Sequence, residues 1–420
     1  MINSLLRKVS LVFIVKLCAV SVNFLMSMLV ARKLGLTEAG YFFFGFSVVN
    51  LLSVIARQGY DLSIVKHLGI LTNSSNECSS TLIMLLFRVF LVASLIGGIL
   101  YIFTDVLAIN VFNMPGVKDS LSVAIIVLVP FSLLRISAHG FLGMRSGTWG
   151  AVFLNLSTPL LFLITLIFVE IELAVQAMNI YLLCSLASFI LSLLIWKLNF
   201  GIRIKNVQKG VLGNINQTAK KMFPNQVLTI FYQWGNVLLI GLFLPASDIS
   251  LFTAAQKTAV IMSFLLISVN AVISPEFASS YEKKDYHKIR SLFSFALKIL
   301  AASGLVALFI TLIFATEIMS IFGEGFHTAS TLLIIMAFGQ FINNCTGPVG
   351  VLLQMTGSEL VVLKNTVISC AIIFIGGFVF IPIYGVISAA TVLAIALAVQ
   401  NLLALKYLMF KTDIFSKNMK

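Results

Sequence analysis

The sequence predicts an all-α polytopic membrane protein of about twelve transmembrane helices, in two six-helix lobes related by a parallel repeat around a central cavity. Composition is the first observation behind this prediction. Of the 420 residues, 60% are hydrophobic and only 10% are charged, against about 25% charged in a soluble domain. A soluble protein of this composition could not cover its surface with polar groups. Soluble enzymes, coiled coils, disordered chains and nucleic-acid-binding domains are therefore excluded.

Continuous apolar segments are the second observation, because a membrane helix needs about 20 apolar residues. The five cysteines show no metal-ligand spacing, so neither a metal site nor a disulfide is expected. The predicted spans are 9–31, 40–58, 81–103, 121–142, 150–169, 174–196, 224–244, 251–274, 291–314, 329–353, 360–381 and 385–408.

Basic residues near the ends of these segments predict the orientation. With the N-terminus inside, the cytoplasmic side holds 19 Lys and Arg residues and the opposite side holds 3, and such residues concentrate in the cytoplasm. Both termini are therefore predicted to be cytoplasmic. The predicted domains are an N-terminal lobe (1–196), a basic cytoplasmic linker (197–223), a C-terminal lobe (224–408) and a cytoplasmic tail (409–420).

An internal repeat is the third observation. At an offset of 210 residues, the segment 34–42 lies over 244–252, and both read as an outer turn with a Thr or Ser cap and an acidic first turn. An even number of helices in each half gives both copies the same orientation, as in parallel-repeat transporters. The alternative is that two capping turns resemble each other by chance.

Polar residues recur at helical spacing within several segments, which predicts that they line a cavity. The alternative is hydrogen bonding between helices, for which the same residue types are common. The candidate lining residues are Asn23, Asn50, Asp61, Gln226, Gln233, Asn236, Gln256, Gln340, Asn343 and Asn344.

Cations inside the spans are the sharpest signal. Lys16, Arg57, Arg135 and Lys257 lie at or within predicted spans, where an unpaired charge costs at least about 2.5–3.5 kcal/mol. A cavity that receives an anion would explain that cost. The alternative is pairing with a helix C-terminal carbonyl or, for Arg57, with Asp61.

Five stretches carry a family resemblance; Tyr232–Asn236, Ser274–Phe277 and Leu352–Glu359 are similar to family patterns, and the two longest are Leu29–Phe42 (LVARKLGLTEAGYF) and Arg57–Lys66 (RQGYDLSIVK). These two resemble the first loop and the second-helix exit of Wzx-type O-antigen flippases, the polysaccharide branch of the multidrug/oligosaccharidyl-lipid/polysaccharide exporters. The resemblance implies transfer of an undecaprenyl-diphosphate-linked oligosaccharide to the outer leaflet of a bacterial inner membrane, in lipopolysaccharide biosynthesis. It also implies that Lys16, Arg57 and Lys257 hold the diphosphate, and the cost of its buried charge makes Arg135 a fourth candidate for that role.

Two rival functions are weighed against this one. A multidrug exporter of the same superfamily would need buried carboxylates for organic cations, and a membrane polymerase or ligase would need a long catalytic outer loop. No catalytic signature is present, so an enzyme is not expected. The expected partners are the lipid-linked oligosaccharide, membrane lipids and polymerase and chain-length proteins of the same pathway, with no nucleic acid. No cofactor is expected, and coupling to protons or sodium ions is left open.

Overall fold

The computed structural model describes the backbone of residues 2–70, 75–201 and 209–415, and every regular element in these ranges is helical. Four of the basic residues predicted to be cytoplasmic lie outside the described residues, namely Arg203, Lys205, Lys417 and Lys420. The helices are α1 (Ile2–Arg57), α2 (Tyr60–Ile70), α3 (Ser75–Ile102), α4 (Lys118–Gly143), α5 (Gly147–Phe168), α6 (Ala174–Phe200), α7 (Lys209–Phe243), α8 (Ala246–Ile261), α9 (Phe264–Glu282), α10 (Tyr286–Ser320), α11 (Phe326–Thr346), α12 (Val349–Met355), α13 (Glu359–Tyr384) and α14 (Val386–Lys411).

The number of spans in the structure agrees with the number predicted from the sequence if the long helix α1 is counted as two spans. Ten described helices are long and apolar enough to cross a membrane, and the pair α8 and α9, bent by 47°, makes an eleventh if it counts as one span. The apolar part of α1, Ile14–Arg57, has 44 residues, about 66 Å at 1.5 Å per residue. This is twice the roughly 30 Å hydrocarbon core. Gly35, at φ 71° and ψ −173°, interrupts α1 and divides it into two spans. The predicted all-α polytopic fold is confirmed.

Some predicted boundaries differ from those of the structure, because hydropathy does not report breaks within an apolar run. The predicted span 329–353 stops at Thr346, where Gly347 adopts φ 64° and Pro348 precedes the short helix α12. The predicted span 251–274 crosses the break between α8 and α9. Most of the predicted linker is also helical, since α6 extends to Phe200 and α7 begins at Lys209.

The chain packs as two compact units. Unit one comprises Met1–Trp234 with Pro245–Ser247, and unit two comprises Gly235–Leu244 with Asp248–Lys420. In unit one, α4 is the central helix, since it packs against α1, α2, α3 and α6. Its side chains join a core that includes Leu134, Phe141 and Trp196. This central position places Arg135, on α4, inside unit one. In unit two, α11 packs against both α10 and α14, and α13 packs against α14.

The outer turn at Gly35 is held by two charged side chains. Lys33 Nζ donates to the carbonyl oxygen of Val169 at 2.8 Å, and the Glu38 carboxylate accepts from the backbone N–H of Ala174 at 2.7 Å. The cation thus lies at the end of α5 and the anion at the start of α6, where each complements the helix dipole. The sequence places Glu38 in the acidic first turn of its own helix, and the structure shows that it caps α6. This contact also gives Lys33 a structural reason to lie on the predicted outer side.

Replacing Glu38 with alanine is expected to lower the stability of the protein by about 1–2 kcal/mol, because the buried N–H of Ala174 loses its acceptor. The measurement is the thermal unfolding midpoint of the purified protein in one detergent. Glu170→Ala is the matched control, since Glu170 is exposed and close in sequence to the same loop. Equal midpoints for the two variants would contradict the capping role.

Candidate functional site

A small cavity inside unit one brings together two of the residues that the sequence singles out, Arg135 and Asn23. Its volume is about 100 Å³. It lies where α1, α4, α5 and α6 meet, and its wall combines one cation with amides, hydroxyls and aromatic rings. The lining residues are Asn23, Phe46, Phe131, Leu134, Arg135, Phe153, Leu154, Asn155, Thr158, Pro159 and Tyr181.

Arg135 is the charged group of this cavity. Its guanidinium stacks on the ring of Phe131, with Cζ 4.9 Å from the ring centroid. Within the part of the chain that the structure describes, no carboxylate lies within ion-pair distance of it. The cavity therefore presents a positive charge whose planar N–H donors are available to an oxyanion.

A local irregularity of α5 shapes the opposite wall. Residues Val152–Leu156 form one π-helical turn, a feature often found at functional sites. The backbone oxygen of Asn155 in this turn accepts from Asn23 Nδ2 at 3.2 Å, and Asn23 Nδ2 also donates to Ala19 O at 2.8 Å. One turn further, Thr158 is only 3% exposed. Its Oγ1 has no hydrogen-bond partner among the described residues.

Arg57 is engaged by Asp61 rather than left open. Its Nη1 forms a salt bridge with Asp61 Oδ2, one helical turn away, and its Nε donates to Ser53 O at 2.9 Å. Arg57 and Asp61 are 5% and 4% exposed, so the pair is buried. Both charges lie within electrostatic range of Arg135. Of the two alternatives that the sequence leaves open for Arg57, this conformation shows pairing with Asp61.

Three predicted cavity residues of α11 bond to the break between α8 and α9 in unit two. Gln340 Oε1 accepts from Ser263 Oγ at 2.5 Å, and Asn343 Nδ2 donates to the same hydroxyl at 3.2 Å. Asn344 Nδ2 donates to the freed carbonyl of Met262 at 3.0 Å. Since a broken membrane helix needs new partners for its backbone groups, these amides stabilise the break.

The remaining predicted site residues are placed separately. Asn50 is buried and donates to Phe46 O of its own helix at 2.8 Å. Asn236 is fully buried, and neither of its amide atoms is bonded to a described residue. The Oε1 atom of Gln226 is also buried without a hydrogen-bond partner among the described residues. Lys16 and Gln233 are exposed, whereas Gln256 and Lys257 are half-buried. The diphosphate-binding role of Lys16 and Lys257 stays a prediction.

Sequence reasoning missed Asn155, Thr158 and Tyr181. Thr158 is an ordinary small polar residue in an apolar run, and Tyr181 lies among core aromatics, 5.3 Å from the ring of Phe162. The one signal available was Asn155 within the predicted fifth span, because an amide there needs a partner.

The fold is similar to that of solved membrane transporters, among them one of the MOP superfamily. A lipid II flippase, MurJ, in an inward closed conformation superposes with a TM-score of 0.76 at 15% identity, over 95% of this chain and 87% of that chain. An inward-facing multidrug resistance MATE family transporter of the MOP superfamily gives a TM-score of 0.70 at 15% identity, over 92% of both chains. At these identities the likeness concerns the fold.

The family follows from the sequence match. The model of the family described as polysaccharide biosynthesis protein matches residues 5–281, and a second model, MatE, matches residues 222–379. The chain belongs to the polysaccharide biosynthesis protein family. A curated relative, the probable low-salt glycan biosynthesis flippase Agl15 of Haloferax volcanii, is 30% identical over 179 residues. That match covers 42% of this chain and 38% of the relative's length.

These findings confirm the predicted family and the predicted multi-pass membrane protein. The Wzx-type subtype, the inner-membrane location and the cytoplasmic termini stay predictions.

Proposed function

We propose that the protein is a flippase that moves undecaprenyl-diphosphate-linked repeat units of an O-antigen or a similar polysaccharide. The units move from the cytoplasmic to the periplasmic leaflet of a bacterial inner membrane by alternating access, and both termini are cytoplasmic. The observation that carries this proposal is Arg135, a cation with no carboxylate partner among the described residues, in a polar cavity of a polysaccharide biosynthesis protein. The relative named as a glycan biosynthesis flippase supports the proposal.

Electrostatics supports an anionic substrate. A cation within the membrane costs about 2.5–3.5 kcal/mol even on the most lenient scales, so its retention needs a compensating interaction. A diphosphate supplies one, since charge-assisted bonds between Arg or Lys and phosphate strengthen in a low dielectric. In this proposal Arg135 holds the diphosphate, and Lys16 and Lys257 contribute positive charge along the route. Arg57 takes part when its bond to Asp61 opens.

A multidrug exporter is the second candidate, because the MatE family model matches residues 222–379 and MATE transporters share the fold. The charges argue against it. An organic cation calls for a buried carboxylate, and Asp61, the buried carboxylate of the described residues, is neutralised by Arg57. The positive charge of Arg135 in the cavity would repel an organic cation.

The test is transport by the purified full-length protein in proteoliposomes. We expect a fluorescent undecaprenyl-diphosphate-linked glycan to cross the bilayer much faster than in liposomes without protein. We expect no protein-dependent uptake of ethidium, an organic cation, because Arg135 repels it and no described carboxylate lines the cavity. Ethidium uptake with no movement of the glycan would contradict the flippase proposal and favour the exporter.

A further inference from the structure

We propose that the cavity of unit one is an oxyanion subsite, in which Arg135 and the Thr158 hydroxyl together bind a single phosphoryl or carboxylate group. This proposal rests on the proposed function and deepens it, because it assigns a subsite and a ligand chemistry to a defined part of one lobe. Three independent features of the cavity carry it: its charge, an unpartnered hydroxyl and its size.

The charge comes from Arg135, held in a defined orientation. A cation–π contact with Phe131 holds the guanidinium over that ring, and the guanidinium carries N–H donors for a ligand. Asp61 bonds to Arg57 through Oδ2, while its Oδ1 has no hydrogen-bond partner among the described residues. The charges of Arg57, Asp61 and Arg135 sum to one positive charge, so the cavity retains a net attraction for an anion.

The unpartnered hydroxyl belongs to Thr158. A buried hydroxyl without a hydrogen bond costs about 1–3 kcal/mol, yet Thr158 Oγ1 is buried without a described partner in the wall that contains Arg135. An oxyanion at this point would accept from both groups. Tyr181 lines the same cavity within electrostatic range of Arg135 and adds a second hydroxyl to the wall.

The size of the cavity selects the kind of group. A volume of about 100 Å³ is smaller than the roughly 150 Å³ of an engineered cavity that holds one benzene molecule. One phosphoryl or carboxylate group fits into that space, whereas a sugar ring with its hydroxyls does not. The ligand is therefore an anionic group at the end or side of the substrate, namely a phosphoryl of the lipid diphosphate or the carboxylate of an acidic sugar.

The experiment measures binding by isothermal titration of the full-length protein in nanodiscs, with inorganic pyrophosphate and glucuronate as separate probes. Arg135→Gln is expected to weaken binding roughly ten- to hundredfold, and Thr158→Val roughly two- to tenfold. The matched controls are Lys364→Gln, an exposed cation, and Ser185→Ala, which removes another buried unpartnered hydroxyl that does not line the cavity. Both controls are expected to bind the probes as the wild-type protein does.

The two probes separate the sources of the oxyanion. Loss of pyrophosphate binding in both cavity variants supports a phosphoryl subsite, and loss of glucuronate binding alone supports a subsite for an acidic sugar. Unchanged binding of both probes in folded Thr158→Val and Arg135→Gln would overturn the proposal. A protein that binds a probe through Arg135 but moves no lipid-linked glycan would keep the subsite and refute the flippase. Transport of the glycan, with unchanged probe binding in both cavity variants, would keep the flippase and refute the subsite.

Discussion

Replacing Asp61 with alanine is expected to destabilise the protein by about 3–5 kcal/mol, because it leaves the guanidinium of Arg57 buried without its counter-ion. The remaining bonds of Arg57, from Nε to Ser53 O at 2.9 Å and from Nη2 to Ser53 Oγ at 3.4 Å, do not neutralise its charge. The measurement is the thermal unfolding midpoint of the purified protein, together with the fraction that elutes as a monodisperse species in detergent.

Two controls define what this result means. Asp105→Ala removes the exposed partner of Lys118 at 2.8 Å and is expected to change stability by less than about 1 kcal/mol. The double variant Arg57→Met and Asp61→Leu removes both buried charges and is expected to regain most of the lost stability. If Asp61→Ala were no less stable than Asp105→Ala, the buried ion pair would not hold this part of unit one together.

The membrane fold was predictable because its signals are local and strong. Long apolar runs report spans by length alone, and the turn around Gly35 combines glycine with flanking charges that end one span and begin the next. The breaks at Ser263 and Gly347 were not predictable in the same way. At Ser263 the sequence stays apolar, and amides of α11 stabilise the break by bonding to its freed groups. At Gly347 the break follows a Gly-Pro pair, a signal that a count of apolar residues does not use.

The candidate site was only partly predictable. Arg135 stands out in the sequence because a charge within an apolar run is costly. Its surroundings depend on which faces of four helices meet, and the spacing of residues within one helix does not report this. Asn155 reaches the cavity wall because it lies in a π-helical turn, and such a turn changes the side of the helix on which the following residues lie. For the same reason the polar residues of α11 were predicted to line a cavity, whereas the structure shows that their amides bond to the break between α8 and α9.

Replacing Arg135 with glutamine is expected to slow transport of a lipid-linked glycan at least tenfold, with the amount of folded protein little changed. Glutamine keeps the polarity of the cavity wall but removes the positive charge that binds the diphosphate. Arg135→Lys is expected to keep part of the rate, since it retains the charge and loses the planar fork of donors. A role in folding alone makes a different forecast, in which both variants lose folded protein and the surviving molecules transport normally.

The most direct measurement of the central claim is therefore the transport rate per folded molecule in proteoliposomes, compared among wild type, Arg135→Lys and Arg135→Gln. The substrate is one fluorescent undecaprenyl-diphosphate-linked glycan, and the folded fraction is taken from the monodisperse peak of each preparation. The account predicts rates that fall in that order, with at least a tenfold loss for Arg135→Gln. Equal rates per folded molecule in all three proteins would contradict it.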